Sequence, residues 1–190
     1  MPTPEKPVSR RRPDVVEVEF IGEIHQRDIV IEPYHLDWPT KYLAHEQRLR
    51  EALGPTAVSI EHIGSTSVPG LGAKPIIDVL LTVRYIAAEE DYLPELFSAG
   101  YHLRVREPGH RMVRTSSLDV HVHIYEPQHP ACFDYLLLRD HLRGDAADRD
   151  LYERTKRELS TREWPNMNAY AEAKTEVIEA IKRRARVRSQ

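Results

Sequence analysis

The sequence predicts an α+β fold, with a mixed sheet of about five strands, helices packed on it and a helical layer at the C-terminal end. Two observations support this prediction. Short runs rich in β-branched residues dominate the chain up to residue 126, whereas segments with the apolar spacing of helices dominate it from residue 129 onward. Strands that come before helices, rather than alternating with them, are typical of α+β proteins.

Six segments are candidates for the strands of this sheet. Each is short, 57–63 and 75–83 are rich in β-branched residues, and 28–34 alternates between apolar and polar residues, patterns that are typical of strands. They cover residues 28–34, 57–63, 75–83, 101–105, 110–116 and 117–126.

Helices are predicted between these strands and after them. Pro39 at the start and Gly54 at the end bracket the first helix, and a second, in 87–99, is interrupted or restarted at Pro94. The charged residues of 143–163 are predicted to lie on the solvent face of their helix. The C-terminal helices are predicted over 129–144, 145–161 and 166–185.

Length and composition fit one domain with a core of ordinary size, because the 190 residues are 41% hydrophobic and 30% charged. Residues 1–16, rich in Pro and Arg, are predicted to be a disordered tail, which leaves 17–190 as a single domain. The net charge of −3 does not indicate nucleic acid, and no apolar run approaches the roughly 20 residues that cross a bilayer. The single cysteine, Cys132, excludes an internal disulfide, so we expect a cytoplasmic protein.

A turn in the stretch SIEHIGSTSVPGLGAKPIIDVLLTV, residues 59–83, is the first candidate site. Gly64 permits a tight turn, Ser65 and Thr66 offer hydroxyl groups, and the backbone N–H groups of such turns can bind anions. Lys74 adds a positive charge beside it. A structural turn uses the same residue types, so the pattern alone leaves both interpretations open.

Asp78 is a lone carboxylate in the apolar strand that follows this turn. The two-residue period of a strand places Asp78, Leu80 and Thr82 on one face. A carboxylate there could bind Mg²⁺ and hold it against a phosphate in the turn, as phosphoryl or nucleotidyl transfer requires. The same residue could also serve a purely structural purpose.

The stretch EHIGSTSVPGLGAKPIIDVLLTV closely resembles the signature of the GrpB family. The resemblance extends upstream to VIEPYHLDWPTKYLAHEQRLREALG and downstream to HVHIYE and YAEAKTEVIEAI, and it covers about residues 28–182. It implies a nucleotidyltransferase-like core of the DNA polymerase beta type.

In that superfamily a Gly-Ser pair precedes a strand with two metal-binding carboxylates, and a later strand supplies a third. The resemblance places Gly64 and Ser65 in the pair and Asp78 as the first acid. The second acid position holds Leu80, and Asp119 is the candidate for the third. The resemblance therefore implies catalytic roles for Asp78 and Asp119 but departs from the standard two-metal pattern at Leu80.

Two histidines and one arginine are further candidates. His121 and His123 alternate on one face of the strand 117–126, where they could bind a metal together with Asp78 or simply face solvent. Arg111 could bind a phosphate through its guanidinium group, although strand arginines are usually solvated.

Three functional hypotheses follow from these residues. The first is an Mg²⁺-dependent nucleotidyltransferase that acts on a nucleoside triphosphate and an unknown acceptor, with Mn²⁺ or another divalent ion as the alternative cofactor. The second, favoured by Leu80, is a non-catalytic module that binds a nucleotide or a phosphorylated small molecule. The third is a metal-dependent hydrolase built on His121 and His123.

Overall fold

A computed structural model describes residues 13–22 and 29–188 of the chain. Its sheet has the strand order β1-β4-β5-β6-β3-β2, in which β3 and β6 are parallel and every other neighbouring pair is antiparallel. The predicted mixed α+β sheet is therefore confirmed, with six strands in place of about five. The strands are β1 (Glu19–Phe20), β2 (Ala57–Ile63), β3 (Ile77–Val83), β4 (Tyr101–Glu107), β5 (His110–Thr115) and β6 (Val120–Tyr125).

Most helices begin and end close to the residues that the sequence indicates, but the helix predicted within 87–99 begins only at Leu93. Pro39 lies in the first turn of α1 and Pro94 in the first turn of α2, where a missing N–H is tolerated. The last predicted helix is divided into two, and no helix in 13–22 or 29–188 is long and apolar enough to cross a membrane. The helices are α1 (Trp38–Leu53), α2 (Leu93–Ser98), α3 (Pro130–Gly144), α4 (Ala146–Ser160), α5 (Met167–Glu172) and α6 (Thr175–Arg188).

The segment 28–34 does not form the strand that its alternating pattern predicts. In its described part, Glu32 alone makes a bridge, to Ala73, with both backbone N–O distances at 2.9 Å. Pro33 follows and has no N–H with which to extend the pairing. The strand that takes its place in the sheet is β1, a short strand at the edge that pairs with β4. Residues 1–12 of the predicted tail lie outside the described residues.

The two faces of the sheet differ in what covers them. On one face α1 and α2 bury a large apolar core that includes Trp38, Val79, Leu81 and Ile124. Alternate residues of β3 and β6 point to the other face, where Leu80 packs with apolar residues that include Cys132 of α3. The two-residue period predicted for β3 is therefore confirmed, and Asp78 lies on the same face as Leu80.

Candidate metal and phosphate site

Asp78, His121 and His123 meet on the face of the sheet that α3 partly covers. The parallel register of β3 and β6 sets Asp78 opposite His121 and Leu80 opposite His123, so the three polar side chains point the same way. Oδ1 of Asp78 lies 3.6 Å from Nδ1 of His121 and 3.8 Å from Nε2 of His123. One ligand atom from each residue lies within 4.8 Å of the other two, a spacing that one divalent ion could bridge.

The Asp78 carboxyl group is held in its ionised form. Burial by itself raises its pKa, but the adjacent rings of His121 and His123, in their protonated form, lower it by more. The pKa of Asp78 therefore lies well below its ordinary value of 3.8. The side chain is a carboxylate at neutral pH, which is the form that binds a cation.

The predicted turn lies directly against Asp78. Gly64 has φ 70° and ψ −176°, a conformation that essentially only glycine adopts, and a Cβ added there would lie 2.9 Å from the Cβ of Asp78. Ser67 Oγ donates a hydrogen bond of 2.6 Å to the carbonyl of Gly64, and the guanidinium group of Arg143 donates to the carbonyl of Ser67. Glycine is required here because the turn must approach the carboxylate so closely.

Three lysines converge on the side of this turn that faces the C-terminal helices. Lys156 of α4 donates a hydrogen bond of 3.0 Å from Nζ to Oγ of Ser65 and a second one to the carbonyl of Gly72. Lys74 and Lys174 both lie over the ring of Tyr170, with Nζ at 5.0 Å and 4.6 Å from its centroid. A group of ammonium ions beside a serine hydroxyl is suited to an anion with several charges.

Burial and mutual repulsion make these lysines easier to deprotonate. Burial, with the charge of Lys174, lowers the pKa of Lys156 to about 7 and that of Lys74 to about 8, and burial lowers the pKa of Lys174 as well. The hydroxyl group of Tyr170 is buried and has no hydrogen-bond partner among the described residues. Since buried polar groups are normally satisfied, an anionic ligand would supply a partner both for this hydroxyl and for the crowded cations.

Leu80 occupies the position of the second acid, and its surroundings in the structure are apolar as well. Leu80 is 1% exposed and packs against Ile63, Tyr125 and Cys132. A carboxylate in this cluster would be desolvated without a partner of opposite charge. The site therefore offers one carboxylate and two imidazoles in place of the expected set of carboxylates.

Two of the predicted site residues lie elsewhere. Arg111 is opposite Ile124 in the sheet and points to the α1–α2 face, where it is 1% exposed and pairs with Glu89 at 2.6 Å and with Asp14 at 2.5 Å. Asp119 accepts hydrogen bonds from the hydroxyl groups at positions 115 and 117 and closes the turn between β5 and β6. The structure does not bring either residue to Asp78.

Thr66 lies in the predicted turn, but its hydroxyl group is used for structure. It is 1% exposed, and Oγ1 donates a hydrogen bond of 3.1 Å to the carbonyl of Ile76. The same oxygen lies 3.1 Å from Nε2 of His62, whose pKa is lowered to about 4, mainly by burial. The predicted residues that do come together are thus Gly64, Ser65, Lys74, Asp78, His121 and His123.

Lys156 is a site residue that the sequence interpretation missed. The prediction that the charges of 143–163 face solvent is wrong for this residue, which is 3% exposed. Its neighbours at helical spacing, Tyr152 and Leu159, are both buried. The spacing of Tyr152, Lys156 and Leu159 could have predicted this burial, because a lysine that lies between two core positions on one helix face points into the protein.

A second group of metal-type ligands, formed by His141, Asp145 and Asp148, has a structural explanation. Asp148 accepts a hydrogen bond of 2.7 Å from His141 and several from Arg184, and Asp145 pairs with Arg188. Guanidinium groups already neutralise both carboxylates, so the cluster ties α3, α4 and α6 together and does not suit a cation.

Comparison with known proteins identifies relatives of this chain. The profile of the GrpB protein family matches residues 28–184. A UPF0157 protein of Streptomyces coelicolor is 56% identical over 176 residues, which cover 93% of this chain and 94% of that protein. The crystal structure of the conserved protein GrpB from Enterococcus faecalis superposes with a TM-score of 0.73 and 29% identity, and the match covers 82% of this chain and 96% of that one.

A more distant structural similarity concerns the fold alone. A crystal structure of the Cid1 poly(U) polymerase bound to MgATP superposes with a TM-score of 0.51 at 14% identity. The match covers 68% of this chain and 44% of that chain. The fold is therefore nucleotidyltransferase-like, as the resemblance implies.

Proposed function

The chain belongs to the GrpB family, and on that premise we propose that it binds a nucleoside triphosphate with a divalent metal ion and transfers a nucleotidyl group to an acceptor. One observation carries this proposal. The metal-type ligands Asp78, His121 and His123 meet beside Gly64, which Asp78 approaches closely, and the anion-type ligands Ser65 and Lys156 meet at the next residue of the chain. A ligand with phosphate groups could therefore contact both sets at once.

Each side of the site has a distinct task in this proposal. Ser65 and Lys156 bind the terminal phosphates, with Lys74 and Lys174 supplying further positive charge. Asp78, His121 and His123 hold the ion that neutralises the phosphate at which transfer takes place. The hydroxyl of Tyr170, which lacks a partner within the described part of the chain, is a donor for an anion held between the lysines. The fold similarity to a polymerase that binds MgATP supports a triphosphate as the ligand.

The donor set favours a transition metal over Mg²⁺. Mg²⁺ prefers oxygen ligands, whereas imidazole together with carboxylate suits Mn²⁺, Zn²⁺ and similar ions. Two of the three protein ligands here are imidazoles. We therefore expect Mn²⁺ to bind more tightly than Mg²⁺.

A second candidate function is ligand binding without chemistry. It is favoured by Leu80, which fills the position of the second acid with a buried apolar side chain. A site with one carboxylate and two imidazoles can still hold a metal and a triphosphate, but it lacks the symmetric clamp of a two-metal centre. Turnover separates this candidate from the first.

The proposal is tested by titration calorimetry with ATP and GTP in the presence of Mn²⁺, of Mg²⁺ or of EDTA. We expect metal-dependent binding by the wild type and a loss of at least tenfold in affinity for Asp78→Ala. Asp119→Asn is the matched control, because the structure places that carboxylate in a turn away from the site. Absence of binding in every condition, or equal losses in both variants, would refute the proposed site.

Turnover is measured with α-³²P-labelled nucleotide and by release of pyrophosphate. Label incorporated into protein, nucleic acid or a small acceptor supports transfer, whereas tight binding without release of pyrophosphate supports the non-catalytic candidate. Release of inorganic phosphate alone would favour the metal-dependent hydrolase that His121 and His123 suggest.

A further inference from the structure

His123 is connected to a chain of polar groups that leads away from Asp78. Nδ1 of His123 lies 3.2 Å from Nε2 of His110, and Nδ1 of His110 lies 2.5 Å from Oε1 of Glu107. On its other side, Nε2 of His123 lies 3.8 Å from Oδ1 of Asp78. Asp78, His123, His110 and Glu107 therefore form a line of contacts across four neighbouring strands, β3, β6, β5 and β4.

The sheet itself places His110 beside His123. Met112 is opposite His123 in the pairing of β5 with β6, so His110 is the diagonal neighbour on the same face. His110 is 8% exposed, and its ring stacks on Tyr125 with centroids 4.5 Å apart. Glu107 is opposite His110 where β4 turns into β5. The orientation of the His110 ring is thus fixed by packing as well as by its polar contacts.

Counting protons along this line assigns the hydrogen bonds. An ionised carboxylate only accepts, so the hydrogen between Glu107 and His110 belongs to Nδ1 of His110. A neutral imidazole has one N–H, so His110 in its neutral form, with Nδ1–H directed at Glu107, accepts a hydrogen bond through Nε2. The hydrogen of the next bond must therefore come from Nδ1 of His123.

This assignment has a consequence at the candidate metal site. With its hydrogen on Nδ1, neutral His123 presents the lone pair of Nε2 to the carboxylate of Asp78. A lone pair that faces a carboxylate is unfavourable unless a cation lies between them, either a proton on Nε2 or a metal ion. We propose that Glu107 and His110 are positioning residues that fix His123 in the Nδ1–H tautomer and so present Nε2 as a ligand for a divalent transition metal. This inference rests on the proposed function, whose metal site it deepens.

Hydrogen bonds behind metal-binding histidines commonly matter for affinity, and their loss typically costs 10- to 100-fold. The test compares Mn²⁺ binding, with no nucleotide present, in the wild type, Glu107→Ala, His110→Ala and His110→Gln. We expect losses of about tenfold or more for the two alanine variants. His110→Gln should recover part of the affinity, because its side-chain carbonyl can accept the hydrogen bond from Nδ1 of His123.

The matched control is His102→Ala. His102 is an exposed histidine of the same sheet whose Nε2 contacts Oγ of Ser116 at 2.9 Å, and it makes none of the contacts in the line. Thermal unfolding of every variant identifies any that is not folded. Unchanged affinity in His110→Ala, or an equal loss in His102→Ala, would overturn the inference.

A second measurement reports the tautomer directly and does not need metal. Long-range ¹H–¹⁵N correlation spectra of histidine-labelled, metal-free protein distinguish Nδ1–H from Nε2–H imidazoles, and His123→Gln assigns the signal. We expect Nδ1–H for His123 in the wild type and a mixture of tautomers in His110→Ala. An Nε2–H signal from His123 in the wild type would overturn the inference. If the wild type nevertheless bound Mn²⁺, the proposed function would be unaffected. Failure of the wild type to bind Mn²⁺ would refute the metal site of the proposed function and the ligand role assigned here, whichever tautomer is found.

Discussion

Replacement of Lys156 by methionine should stabilise the protein at neutral pH and abolish its anion site. Lys156 is 3% exposed and contacts two other polar groups, Ser65 and the carbonyl of Gly72. Burial, with the charge of Lys174, lowers its pKa from 10.5 to about 7. At about 1.4 kcal/mol per pKa unit, this difference corresponds to about 5 kcal/mol by which the charged form disfavours the folded state.

The pH dependence of this contribution has a definite sign. The folded-state pKa lies below the unfolded one, so between pH 7 and pH 10.5 the unfolded chain binds more protons at Lys156. Stability must therefore rise with pH in this window. Between pH 7 and pH 9 the contribution of Lys156 to the free energy of unfolding should increase by about 2 kcal/mol.

Lys156→Met removes both the charge and this slope. At pH 7 the variant gains most of the 5 kcal/mol but leaves the carbonyl of Gly72 without its partner, which costs about 1–3 kcal/mol. We therefore expect Lys156→Met to be about 2 kcal/mol more stable than the wild type at pH 7, with a difference that shrinks toward pH 9. Urea unfolding at pH 7, 8 and 9 measures the difference.

The control for this prediction is Lys182→Met, which replaces another buried lysine. Burial lowers the pKa of Lys182, but its contacts with Asp134 and Glu179 raise it by more, so the net pKa lies above 10.5. The contribution of charged Lys182 to the free energy of unfolding is fully present below pH 10.5. Lys182→Met should therefore destabilise the protein equally at pH 7 and pH 9. Parallel pH profiles for the wild type and Lys156→Met would show that Lys156 is not held in a destabilised charged state and would refute the reasoning.

Three further predictions concern the turn, the buried arginine and pH. In Gly64→Ala the alanine must adopt a positive φ with its Cβ against Asp78. We therefore expect urea unfolding to show a free energy of unfolding lower by about 1–3 kcal/mol, and Mn²⁺ binding to be at least tenfold weaker. An unchanged Mn²⁺ affinity would contradict the close approach of the turn to Asp78. Arg111→Met leaves the carboxylate of Glu89 with one cationic partner fewer, so the free energy of unfolding should fall by about 3 kcal/mol. The affinities for Mn²⁺ and ATP should stay within twofold of the wild type. A tenfold loss of ATP affinity would show that Arg111 contributes to the site. Triphosphate affinity should fall between pH 7 and pH 9, because Lys74, with a pKa of about 8, loses its proton in that range. Calorimetry in buffers of different ionisation enthalpy should show that the protein takes up protons when the triphosphate binds at pH 8. A pH-independent affinity without proton uptake would contradict the lowered pKa of Lys74.

The local parts of the site were predictable because each depends on a short-range rule. The two-residue period of β3 placed Asp78 and Leu80 on one face, and that of β6 did the same for His121 and His123. Gly64 was identifiable because tight turns need its backbone freedom. These rules act within a few residues, so a single sequence is enough to apply them.

The failures concern contacts between residues far apart in the chain. The contact between Lys156 and Ser65 joins positions 91 residues apart and depends on how the helical layer docks on the sheet. Arg111 was assigned to the site because the local pattern of β5 does not say which face the core covers. The face became clear only with the register of β5 against β6, which sets Arg111 opposite Ile124. Asp119 was misplaced for a similar reason, since it precedes β6 and satisfies the hydroxyl groups of its own turn.

The docking of α4 against the Gly64 turn has a mechanical consequence. The metal-type ligands belong to the sheet, whereas Lys156 and Lys174 belong to the C-terminal third of the chain. An anion bound between them would act as a non-covalent crosslink between the sheet and the C-terminal helices. Local opening of α4 and α6 should then become rarer in proportion to ligand occupancy, and amide hydrogen exchange in those helices would slow even at positions that never touch the ligand.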